Sequence, residues 1–175
     1  MRQRISIGWV VPSLWLLGSL AILSAVYRMV ITTQALATGV MPADPTDVHY
    51  VKHVLMISLH IVPGLLFLVL GPLQFVPGIR ARWPKFHRWS GRIFIASGLV
   101  TAVTAISMNM VFPPVGGLLK SVAVYIFSVA QVVTLVVALR AILRRDISRH
   151  RAWMIRAFAI GLSVSTMRIF FIPAY

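Results

Sequence analysis

The stretch VLMISLHIVPGLLFLVLGPLQF, Val54 to Phe75, holds no charged side chain and one titratable group, His60. At ~1.5 Å per helical residue it can cross the ~30 Å hydrocarbon layer of a bilayer, so it reads as a membrane-spanning helix. Pro63, Gly64, Gly71 and Pro72 lie within it and mark it as bent. A membrane tolerates such breaks where neighbouring helices satisfy the freed backbone groups. Comparable apolar runs occupy about 5–29, 93–112, 122–142 and 153–172, the last of them carrying Arg168. Five crossings account for most of the 175 residues, so the expectation is a single all-α transmembrane domain over 1–175, a five-helix bundle.

Composition agrees. Hydrophobic residues make up 59% of the chain and the mean hydropathy is +0.89, too apolar to clothe a soluble globule. Met1-Arg2-Gln3-Arg4 resembles the start of a signal peptide. The apolar run behind it exceeds the roughly 7–15 residues of a signal core, so a retained helix is expected. The absence of cysteine excludes disulfide exchange, thiolate catalysis and Cys-ligated metal centres.

The formal charge of +14 comes from 17 Lys and Arg against three Asp. In a soluble chain that balance would suggest nucleic acid; here its distribution gives another reason. With the N-terminus in the cytoplasm, Arg2, Arg4, Arg80, Arg82, Lys85, Arg88, Arg92, Arg140, Arg144, Arg145, Arg149, Arg151 and Arg156 share one side. Arg28, Lys52 and Lys120 take the other. The positive-inside rule then sets the N-terminus cytoplasmic and the C-terminus on the opposite, periplasmic or extracellular, side. The basic loops, flanked by Trp83, Trp89 and Trp153, are expected to meet anionic lipid headgroups. A membrane-protein partner is also expected, and no nucleic acid.

The segments His87-Arg88-Trp89-Ser90-Gly91-Arg92-Ile93-Phe94 and His150-Arg151-Ala152-Trp153-Met154-Ile155-Arg156-Ala157-Phe158 match with one gap. Two hairpins related by an axis along the membrane normal would explain this. Basic-aromatic helix starts recur by topology alone, however, and topology is the preferred reading.

Ionisable groups inside a membrane are costly and serve as candidate functional residues. Counting from the neighbouring interfacial cations, His60 and Arg168 both lie roughly 12 Å from the outer face of a ~30 Å layer. No Asp or Glu lies in any span, so Arg168 would pair with a lipid phosphate, the Tyr175 carboxylate, a haem propionate or a quinone oxygen, or snorkel to the headgroups. His87 and His150 open two different helices at similar depth and form the better geometric pair for haem b. His49, His53 and His60, with nearby methionines, would suit copper if one helix carried all three. Gly-rich phosphate loops, paired carboxylates and nucleophile-base arrangements are all missing from the sequence. Two functions follow: a redox-associated protein holding haem b or quinone near His60 and Arg168, or a non-catalytic accessory, assembly or lipid-binding membrane protein.

His60-Ile61-Val62-Pro63-Gly64, Gly71-Pro72-Leu73-Gln74-Phe75, His87-Arg88-Trp89-Ser90-Gly91-Arg92 and the run from Arg145 to Arg156 together resemble a bacterial membrane family, domain of unknown function 2306. The resemblance covers roughly residues 50–170 and implies a multi-pass membrane protein. It also implies that His60, His87, His150 and Arg168 occupy the family's polar positions. Members often continue into a further helix, whereas this sequence stops at Tyr175. The resemblance brings no activity with it.

Overall fold

The computed structural model describes residues 9–112 and 117–171, without the side chains of 46, 164, 165 and 167–171. Seven helices follow one another: α1 (Val10–Thr38), α2 (Pro45–Lys52), α3 (Val54–Gln74), α4 (Pro77–Arg82), α5 (Pro84–Val111), α6 (Gly117–Leu143) and α7 (Ile147–Phe171). α1, α3, α5 and α6 are each long and apolar enough to cross a membrane. α7 is comparable in length, but it opens with Arg149, Arg151 and Arg156. The protein is thus an all-α, multi-pass membrane protein.

Helix bounds exceed the apolar runs because backbone hydrogen bonding continues into polar flanks. α5 starts at Pro84, where proline's missing N–H costs nothing in a first turn. α1 runs on to Thr38 and closes at Gly39, whose φ of 71° is left-handed and whose N–H reaches the Ala35 carbonyl. α3 is helical straight through Pro63 and Pro72. Sequence periodicity did not reveal α2 and α4, which are too short to show an apolar stripe.

The long helices close into a ring: α1 packs on α3, α3 on α5, α5 on α6, α6 on α7, and α7 back on α1. Neighbours joined by short connections run antiparallel, while α7 and α1 run in the same direction. One end of the ring therefore gathers α4, the start of α5 and the α6–α7 turn; the other carries α2 and Phe112. Lipid-facing residues such as Leu16, Leu23, Leu55 and Ile126 are exposed, as expected where hydrocarbon replaces water.

The core sits nearer the α4 end. Phe67 and Phe94 stack at 4.3 Å between centroids, and Phe158 leans against both at 5.8 and 6.1 Å. Leu135, Ala138 and Ala157 are completely buried around them. In lipid the driving force for helix association is close packing, with small residues letting bulky ones approach. A Cβ at Gly71 would collide with the Phe158 ring, one at Gly161 with the Phe67 ring, and one at Gly98 with Leu135 Cδ1 at 2.7 Å. These glycines are the sockets of the aromatic core.

Candidate functional site

His60 lies on α3, half-buried against α5. Its Nδ1 is 3.2 Å from the Thr101 carbonyl and 3.1 Å from Thr104 Oγ1. The Thr104 hydroxyl donates to the Val100 carbonyl at 2.7 Å, so it accepts from the imidazole. The network therefore makes Nδ1 a donor that ties α3 to α5. Thr101 likewise donates to its preceding turn, at Ser97 O, 2.8 Å, as membrane helices often do. Arg168 is carried by α7; its side chain lies outside the described residues, and so does any pairing with His60.

The inner histidines come together at the basic end. His150 Nδ1 is 2.9 Å from the Ala138 carbonyl, which makes Nδ1 the donor. His87, at the start of α5, lies within electrostatic reach of His150, and its Nδ1 is buried without a hydrogen-bond partner. Beside them Gln74 Nε2 donates to Ser90 Oγ at 2.8 Å, and Ser90 donates to the Phe86 carbonyl. This ties the end of α3 to the start of α5.

The core beside the inner histidines' helices is filled by side chains. A tetrapyrrole needs a flat slot beside its axial ligands. Here Phe158 fills the hollow of Gly71, Gln74 Oε1 would sit 3.2 Å from a Cβ on Gly91, and Phe67, Phe94 and Leu135 close the interior above. The outer histidines also depart from expectation. α2 ends at Lys52 and α3 starts at Val54, with His53 between them at φ −119°, ψ 37°. His49, His53 and His60 therefore do not share one continuous helix. His49 and His53 instead meet Phe112 edge-on at 5.8 and 5.1 Å. Among the described residues no group of three or more His, Cys, Asp or Glu could hold a metal ion.

Sequence reasoning confined to ionisable groups missed two features. Gln131, in the middle of α6, is 7% exposed and neither amide atom has a hydrogen-bond partner. An amide in an otherwise apolar run was the available signal. Arg28 pairs with Asp47 where α1 meets α2, and the carboxylate is nearly buried. Their separation in sequence hides that contact.

The α6–α7 turn forms a third site. A cleft of about 280 Å³ opens there, lined by Val137, Arg140, Ala141, Arg144, Asp146 and Arg149. Asp146 accepts from the Arg149 backbone N–H at 3.0 Å and from Ser148 Oγ at 2.9 Å. Those bonds hold its carboxyl below the ordinary carboxylate range. The arrangement offers several guanidiniums and one committed carboxylate to whatever enters.

Neither a curated protein nor a solved structure matches the chain. The family model described as predicted membrane protein, DUF2306, matches residues 57–175, the part containing His60, His87, Gln131, His150 and the arginine cleft. With more than half the chain matched, and apolar helices that fit the description, this chain belongs to the DUF2306 family of predicted membrane proteins.

Proposed function

We propose that this is a five-span lipid-binding protein of a bacterial cytoplasmic membrane, with its N-terminus cytoplasmic and its basic end seated among anionic headgroups. The observation that carries the reading is charge segregation. Arg80, Arg82, Lys85, Arg88, Arg92, Arg140, Arg144, Arg145, Arg149, Arg151 and Arg156 gather at one end with a single carboxylate, Asp146. Each such cation near an anionic leaflet contributes about 1 kcal/mol. α7 supports the fifth span, since 25 residues rise ~37 Å as a helix. Its first turns carry the basic belt, with Arg156 stacked 4.7 Å over Trp153.

Reconstitution tests this directly. In nanodiscs, replacing phosphatidylcholine partly by phosphatidylglycerol should raise the thermal midpoint. Single cysteines placed near Arg82 and near Asp44 should label from opposite sides of oriented vesicles. Equal midpoints in both lipids, or labelling from one side, would overturn the reading.

A further inference from the structure

We propose that the cleft at the α6–α7 turn is a discrete site for the phosphate of one anionic phospholipid headgroup. The inference rests on the lipid-binding reading above and localises it. Arg140 lies in the last turn of α6 and Arg144 just beyond its end, where the Arg144 N–H reaches the Arg140 carbonyl at 3.1 Å and keeps the two a turn apart. Arg149 approaches from the first turn of α7. All three line the cleft, all three are exposed, and among the described residues the sole salt bridge, Arg28–Asp47, lies at the other end of the molecule. Three arginines line one hollow with a single carboxylate, Asp146, which feels the charge of Arg149 and forms no close ion pair with any of them, so the excess positive charge calls for an external anion. The planar fork of arginine matches phosphate oxygens in bidentate fashion.

The turn that shapes the cleft is built rigidly. Arg145 is left-handed at φ 60°. Its N–H reaches the Ile142 carbonyl at 3.0 Å, and the Asp146 N–H reaches the Ala141 carbonyl at 2.9 Å. This is the paired closure that ends a helix. The next residue in line, Asp146, at once caps α7 through the Arg149 amide. α6 and α7 are thus joined without slack, and the arginines on either side keep their spacing. The cleft's depth also suits a lipid. Val137 and Ala141 line it beside the arginines, at the end of the apolar run of α6, so apolar and cationic groups sit side by side as a headgroup with its first acyl carbons requires. Asp146 is the one group that opposes an anion, and its carboxylate is occupied in capping. It makes a singly charged phosphodiester the better occupant than a multiply charged phosphate.

The test uses the full chain in neutral detergent, titrated with dioctanoyl phosphatidylglycerol, dioctanoyl phosphatidylcholine and inorganic phosphate. Phosphatidylglycerol should bind best. The double variant Arg140→Gln, Arg144→Gln should weaken it roughly tenfold or more, while Arg80→Gln, Arg82→Gln leaves it nearly unchanged. Asp146→Asn, which keeps a capping oxygen, should tighten binding, a gain that a merely structural role would not produce. Equal loss in both double variants would overturn the discrete site while leaving diffuse lipid binding intact. Equal binding of phosphatidylcholine would overturn the preference for an anionic headgroup. Inorganic phosphate binding as tightly as phosphatidylglycerol, and lost in the same variant, would overturn the lipid as its source.

Discussion

At the α2 end of the bundle Arg28 meets Asp47, and its guanidinium also lies 5.2 Å from the Tyr50 ring. At the α4 end, eleven cations share Asp146, which spends its oxygen on the α7 backbone. The first end pairs its nearly buried charge internally and leaves only Lys52 and Lys120 exposed, whereas the second leaves most of its charge for the surroundings. That difference separates structural from functional electrostatics here. A paired, nearly buried carboxylate helps dock α2 onto α1; unpaired exposed guanidiniums add little to the isolated fold and need anions from outside.

The comparison has a packing counterpart, and the largest expected effect lies there. Beneath the loose charges of the α4 end the core is at its tightest, so Gly71→Ala should cost about 3 kcal/mol by driving the Phe158 ring from its socket. Thermal unfolding in detergent measures it, and a silent substitution would mean the aromatic core can shift. At the α2 end, Arg28→Leu should cost about 2 kcal/mol, since the nearly buried Asp47 loses its charged partner. The double variant with Asp47→Asn should recover part of that loss. No recovery would mean Arg28 acts through Tyr27 and Tyr50 instead.

Smaller effects sharpen the contrast. Gln131 has no partner for either amide atom, so Gln131→Leu should be neutral or stabilising by up to about 1 kcal/mol. Destabilisation would reveal an occupant at that amide. Arg145→Gly should stabilise by somewhat under about 1 kcal/mol, because glycine adopts φ 60° without strain. Asp146 gives the pH signature. Its carboxyl titrates below the ordinary range in the fold, so its stabilisation is complete above the unfolded-state value and fades as pH falls through the lower folded one. Asp146→Ala should remove that acid-side slope and modestly lower the midpoint at neutral pH. An unchanged slope would assign it elsewhere.

Much of the architecture is legible in the sequence. Val54–Phe75 marks a span because hydrocarbon admits few uncompensated polar groups, a constraint that acts residue by residue. The preceding-turn bonds of Thr101 and Thr104 are equally local. The candidate site was legible only in part. His60 stood out as a titratable group in an apolar run, but its orientation toward α5 depends on how two helices rotate about their axes. The proposed depth match with Arg168 is a matter of backbone register, and the Arg168 side chain falls outside the described residues.

By itself, then, the sequence determined that this is a helical, multi-pass membrane protein with its cations segregated, since hydrophobicity, length and charge position are properties of the chain. The tertiary structure alone decided that His49 and His53 face Phe112, that glycine sockets hold Phe67 and Phe158, and that Arg140, Arg144 and Arg149 line one cleft. Those outcomes depend on helix rotation and on the turn at Arg145 and Asp146, where contacts between residues distant in sequence or across a helix break set the geometry.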